Sequence, residues 1–136
     1  MNKHELYELI DELKLPTSEY CVLSGGSLVI HNIRKFANDL DIDITIKGFE
    51  LLKNNFSPIL IDENKKLYKV TDKIECFLDN NFETDIEIID GYPCQSLISV
   101  YKLKKRLNRE KDQKDILAIK KALNIKYEKE NLTWKF

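Results

Sequence analysis

The sequence predicts a single α/β domain: a mixed β-sheet with helices mainly on one face and two more helices towards the C-terminal end. Three patterns carry that reading. Residues 39–46 and 84–89 alternate apolar and polar side chains, the period of a strand with one buried face. Residues 27–37, 96–107 and 110–123 repeat apolar side chains at three and four, the stripe of a helix lying on a core. The two kinds of pattern are interleaved along 136 residues that are 43% hydrophobic, enough for one compact core over 1–136 and leaving little room for a separate recognition domain.

Taken in order, residues 3–14 form a charged amphipathic helix, and Tyr20-Cys21-Val22-Leu23 a short buried strand. Ser24-Gly25-Gly26-Ser27 breaks that strand before Leu28, Val29, Ile33 and Phe36 lay a stripe along the helix of 27–37. Free N–H groups at such a start cradle phosphate oxygens, Gly25 and Gly26 allow close approach, and Ser27 caps the helix or adds a hydroxyl. A tight strand-to-helix turn needs the same glycines. In the strand of 39–46, Leu40, Ile42, Ile44 and Ile46 turn to the core, and Asp39, Asp41 and Asp43 share the other face at about 7 Å intervals. Aspartates so spaced repel when alone and can share hard divalent cations. Magnesium suits them, because it keeps waters and substrate phosphates in its shell, and two such ions stabilise both oxygens of an in-line displacement. An acidic strand face alone is ordinary for an edge strand; directly after a Gly-Gly helix start it forms an arrangement able to hold a nucleoside triphosphate and its metal ions.

A short helix follows at 48–54, then extended segments at 58–61, 66–71, 74–79 and 83–89. Asp79-Asn80-Asn81 is read as the turn of a hairpin pairing 84–89 with Ile74-Glu75-Cys76-Phe77-Leu78. In the helix of 96–107, Lys102, Arg106 and the following Arg109 fall four and three apart on one face, while Leu97, Val100, Leu103 and Leu107 turn inward. Lys104 and Lys105 read as solvated surface. In the last helix Ile116, Leu117, Ile119 and Leu123 pack back, and Asp112 and Asp115 stabilise its first turn. The tail after Lys126, with Tyr127, Leu132, Trp134 and Phe136, is an aromatic cluster that packs on the domain or joins a partner subunit.

The run from Leu23 through Gly25-Gly26-Ser27 to Asp39-Leu40-Asp41-Ile42 resembles the signature of the DNA polymerase beta-like nucleotidyltransferases. Within that superfamily, His31, Arg34, Asp-Leu-Asp-x-Asp and a second run of Lys102, Arg109, Lys111-Asp112 and Asp115-Ile116 are similar to the small bacterial AbiEii-like branch, the toxins of type IV abortive-infection systems. The resemblance spans most of residues 20–120. It implies a minimal nucleotidyltransferase fold with a motif core over 20–90 and a helical part over 96–123. It also implies transfer of a nucleoside monophosphate from an NTP to a hydroxyl acceptor, an RNA end such as tRNA, a protein or a small molecule, with release of pyrophosphate. Asp39 and Asp41 would ligate Mg²⁺ or Mn²⁺ with a third carboxylate, Asp85 or alternatively Glu87, which activates the acceptor. Gly25, Gly26 and Ser27, with Lys102 and Arg109, would hold the triphosphate. Arg34 contacts phosphate or pairs with an aspartate, and Asp43 supports the pair from one step further along. The rival readings are a toxin–antitoxin module working through a regulatory protein or a homo-oligomer, and a catalytically silent nucleotide- or partner-binding domain.

Net charge is −1 with acidic strands in the middle and Lys/Arg-rich helices after residue 100, which argues against a general nucleic-acid coat and leaves a basic end for a polyanion. Cys21, Cys76 and Cys94 match neither a disulfide framework nor zinc-ligand spacing and read as reduced. His4 and His31 are too few for a histidine metal site. With no signal-peptide pattern and no membrane-spanning apolar run, the expectation is a cytoplasmic protein without membrane contact.

Overall fold

The computed structural model describes residues 1–129. Helix α1 (Lys3–Glu12) starts with a capping box, in which the Asn2 side chain accepts from the Glu5 N–H and the Glu5 carboxylate from the Asn2 N–H. Then come β1 (Tyr20–Val22), α2 (Ser24–Ile30), β2 (Leu40–Ile44), α3 (Ile46–Leu52), β3 (Ile59–Asp62), β4 (Leu67–Thr71), β5 (Ile74–Leu78), β6 (Ile86–Ile89), β7 (Tyr92–Gln95), α4 (Leu97–Leu107), a 3₁₀ turn at Glu110–Asp112, and α5 (Gln113–Lys129). Among the described residues the strands form a seven-stranded mixed sheet in the order β3-β4-β5-β2-β1-β7-β6. β2 runs parallel to β5 and β1 parallel to β7; the other neighbours are antiparallel. The predicted α/β class and mixed sheet are therefore present.

Side chains of α1, α2 and α3, including Leu6, Ile10, Val29, Ile30, Phe49 and Leu52, bury one face of the sheet against Val22, Leu40, Ile42, Ile44 and Cys76. Alternation along β2 then leaves Asp41 and Asp43 on the opposite face. A second core joins Leu28 of α2 to Val100 and Tyr101 of α4 and to Ile116, Ile119 and Leu123 of α5, so the C-terminal helices are anchored on the Gly-Gly helix.

Several boundaries differ from the sequence reading. α2 starts at Ser24 rather than residue 27 and stops at Ile30, where Asn32 takes a left-handed φ of +62°. Phe36 consequently lies outside it and is exposed, as are Ile46, at the start of α3 instead of the end of β2, and Leu107 and Leu117. The hairpin expected between β5 and β6 does not form. β6 pairs with β7, a strand that the sequence reading missed, through a two-residue turn in which Asp90 and Gly91 both have positive φ, +55° and +87°. β5 and β6 end up on opposite sides of β2, β1 and β7, and residues 79–85 cross between them. The aromatic tail, including the Tyr127 side chain and Leu132, Trp134 and Phe136, lies outside the described residues. No helix among the described residues is long and apolar enough to cross a membrane.

Candidate active site

The uncovered face of the sheet, the 79–85 crossing and α4 enclose a cleft of about 850 Å³. Asp41, Asp43 and Phe77 line its floor, Asp79, Glu83 and Thr84 come from the crossing, Ser24 and Gln95 close one end, and Lys102 and Arg106 come from α4. The floor follows from register. Asp41 lies opposite Glu75 and Asp43 opposite Phe77 on parallel β5, and directly opposed residues share a face about 5 Å apart.

These carboxylates are held at an electrostatic disadvantage. Burial pushes the Asp43 pKa up to about 6, and the negative charges of Asp79 and Glu83 add to it. Burial likewise raises Asp41, helped by Glu75 and then Asp39. The donor set is all oxygen. Among the described residues no three His, Cys, Asp or Glu side chains come together as a group that could hold a metal ion. Asp41 and Asp43 offer two oxygen donors, a set compatible with a hard cation such as Mg²⁺ only where water and phosphate oxygens complete its shell.

The predicted site residues separate into those that meet the cleft and those that do not. Asp41 and Lys102 line it; Asp39 precedes β2, is exposed and does not. Asp43, given a supporting place from sequence, is a lining residue. Asp85 is exposed and precedes β6, where its N–H donates to Ser99 Oγ and its carbonyl accepts from the Ser96 N–H. Glu87 lies opposite Cys94, which belongs to the helix-covered core, so it projects from the face opposite Asp41. Both are three strand positions or more from Asp41 because β6 sits at the sheet edge. The carboxylate that register does bring beside Asp41 is Glu75, which sequence reading left as an ordinary strand residue; its signal was a lone charge within the apolar run Ile74-Glu75-Cys76-Phe77-Leu78.

The glycine motif is built differently from the expectation. Gly25 and Gly26 are inside the first turn of α2. A Cβ on Gly26 would come within 2.9 Å of Val22 Cγ1, so this glycine lets α2 close on β1, and one on Gly25 would meet the Arg34 guanidinium at 3.0 Å. Ser27 does not cap the helix; it is fully buried and its hydroxyl donates to the Gln95 carbonyl at 2.7 Å. The serines that line the cleft are Ser24, at the start of α2, and Ser99 of α4. Arg34 Nε lies 3.6 Å from Asp115, and Arg109 Nε donates to Asp112 at 2.6 Å, so both are tied into an ion-pair cluster away from the cleft lining. Lys104 is the buried centre of that cluster, 2.7 Å from Asp112 and 3.4 Å from Asp115, and not the solvated residue it resembled.

Compared with known proteins, the sequence matches no protein-family model and no curated protein. Its structure is similar to ANT(2″)-Ia in complex with adenylyl-2″-tobramycin, with a TM-score of 0.58 at 13% identity, over 88% of this chain and 86% of that one. JHP933 from Helicobacter pylori aligns with a TM-score of 0.45 at 17% identity, over 75% of this chain and 54% of that one. The first likeness covers nearly all of both chains and is one of fold: the seven-stranded α/β architecture described above is nucleotidyltransferase-like.

Proposed function

We infer that the protein is a metal-dependent nucleotidyltransferase that moves a nucleoside monophosphate from an NTP to a hydroxyl acceptor. One observation carries the reading: Asp41 and Asp43 face a cleft whose remaining walls supply Ser24, Lys102 and Arg106, a hydroxyl and two cations suited to a triphosphate. Asp41 and Asp43 replace Asp39 and Asp41 as the proposed ligands of Mg²⁺, and Asp79 and Glu83, the other carboxylates that line the cleft, replace Asp85 as candidates for the general base. Bound Mg²⁺ would neutralise charge on the phosphates and leaving oxygen. Asp79 or Glu83 takes the proton of the acceptor hydroxyl as its oxygen bonds to the α-phosphorus and the bond to pyrophosphate breaks. Lys102 and Arg106, one helical turn apart, hold the phosphates that leave.

Two acceptor classes have support. Residues 97–126 carry ten Lys and Arg against three Asp and Glu, whereas residues 1–96 carry ten against eighteen. The basic part is the α4–α5 pair beside the cleft, a surface for an RNA whose end enters it. A small hydroxylated acceptor is the second reading, supported by the adenylyl-2″-tobramycin in the structurally similar ANT(2″)-Ia. The AbiEii-like run finds a use in either case, because Arg34, Arg109, Asp112 and Asp115 secure the helices that present Lys102. The test is Mg²⁺-dependent transfer of label from each α-labelled NTP into total tRNA, protein, or aminoglycoside and lincosamide acceptors. Label that moves with wild type and Asp39→Asn but not with Asp41→Asn or Asp43→Asn supports the reading and identifies the acceptor. Absence of transfer together with unchanged NTP binding in those two variants leaves a binding module instead.

A further inference from the structure

Gln95 ends β7, is only 6% exposed, and has both polar atoms of its side chain and its carbonyl engaged. Its Oε1 accepts from the Ser24 N–H at 2.6 Å, and its Nε2 donates to Thr84 Oγ1 at 3.3 Å. Its carbonyl accepts from Ser27 Oγ at 2.7 Å and lies 2.8 Å from His31 Nε2, a contact that requires the proton on that ring nitrogen. One residue therefore grips the first residue of α2 by its side chain, the fourth residue and the C-cap by its backbone, and the crossing segment on the facing wall of the cleft. The Ser24 contact has a backbone consequence. Ser24 has a φ of +39°, a region that a non-glycine residue enters only when its surroundings hold it there.

We propose that Gln95 is a positioning residue of the nucleotide subsite, holding Ser24 in its left-handed conformation at the cleft and coupling it to Thr84 on the other wall. The proposal rests on the nucleotidyltransferase reading. The amide suits both ends as they stand: its oxygen faces a backbone donor, and its nitrogen donates to a hydroxyl that itself donates to the Asp85 carbonyl, whereas Met meets neither. The buried Ser27 and His31 contacts use the main chain, so they survive replacement of the side chain and keep β7 and α2 together.

The experiment measures NTP KM, acceptor KM, kcat and melting temperature for full-length wild type, Gln95→Met, Gln95→Asn, Thr84→Val, Ser24→Ala and the Ser24→Ala/Gln95→Met pair. The expected result is a fall of ~10- to 100-fold in kcat/KM for the NTP in both Gln95 variants, with acceptor KM unchanged, and a smaller loss in Thr84→Val. Because Gln95 acts through Ser24, the double variant loses no more than the worse single variant; a merely structural role would instead give losses that add. Gln95→Asn, which shortens the side chain and leaves the carbonyl contacts, decides the matter if Gln95→Met does not fold. NTP KM unchanged in Gln95→Asn, or additive losses, overturns the proposal while the function stands, provided that wild type transfers label and Asp43→Asn does not. Wild type without Mg²⁺-dependent NTP binding overturns both.

Discussion

At Asp43 stability and the proposed chemistry pull in opposite directions. Its folded pKa of about 6 lies above the ordinary aspartate value of 3.8, so the native state binds the extra proton between these values. Stability from this group is then present below about pH 4 and is lost as pH rises through about 6, because the ionised form is the one that burial, Asp79 and Glu83 disfavour. Asp43→Asn is accordingly expected to abolish nucleotidyl transfer yet raise the melting temperature of the metal-free protein at pH 7.5, with little gain at pH 4; a thermal-shift series across pH reads both. Millimolar Mg²⁺ should stabilise wild type more than the variant. The cysteines behave in the opposite way, as inert groups. Burial pushes Cys21 and Cys76 up to about 12 and Cys94 to about 11, and all three are inaccessible, so a thiol reagent at pH 8 should label them only after denaturation. That agrees with the unpaired, structural role read from their spacing.

Two contacts between elements set how the cleft walls are held. α2 closes on β1 only because Gly26 has no side chain. Gly26→Ala, whose Cβ would come 2.9 Å from Val22 Cγ1, should cost about 1–3 kcal/mol in denaturant unfolding, and Val22→Ala should recover part of it. The Lys104–Asp112 pair joins α4 to the turn before α5. Burial alone would raise the Asp112 carboxyl, but the hydrogen bonds and charges of Lys104 and Arg109 outweigh it and hold its pKa below the usual range. Its contribution is present above the unfolded carboxylate pKa and is lost as pH falls through the folded one, in the acid region below about pH 4. Lys104→Met, which leaves the buried Asp112 carboxylate with Arg109 alone, should destabilise by ~1–3 kcal/mol, and Lys104→Met/Asp112→Leu should regain part of that in urea titrations. Neither contact could be read from periodicity. Lys104 sits among Lys102, Lys105 and Arg106 in a run that looks solvated throughout, and only the packing of α5 picks it out.

At the scale of the molecule, charge is divided between an acidic sheet portion and a basic helical pair, although the net charge is only −1. If an RNA end is the acceptor, its affinity should fall linearly with log salt at a slope of about −0.7 per phosphate contacted, and charge reversal of Lys105, Lys114 and Lys121 should flatten that slope without changing NTP binding; filter binding between low and physiological salt measures it. A small neutral or cationic acceptor would show no such dependence on these three lysines.

The sequence alone determined the elements whose evidence is local. The alternation in β2 placed Asp41 and Asp43 on the uncovered face because period two is a property of the strand itself, and the break at Ser24-Gly25-Gly26 located the turn into α2. The Asp90-Gly91 turn was equally local and was overlooked. Only the tertiary structure decided which carboxylates meet. β5 joins β2 in parallel across more than thirty residues, which brings Glu75 beside Asp41, while β6 pairs with β7 and carries Asp85 and Glu87 to the sheet edge. The same folding turns Arg34 and Arg109 into anchors for the helices and gives Gln95 its grip on Ser24. Strand order is chosen by the burial of whole faces against α1, α2 and α3, a competition among distant segments that leaves no periodic trace in any one of them.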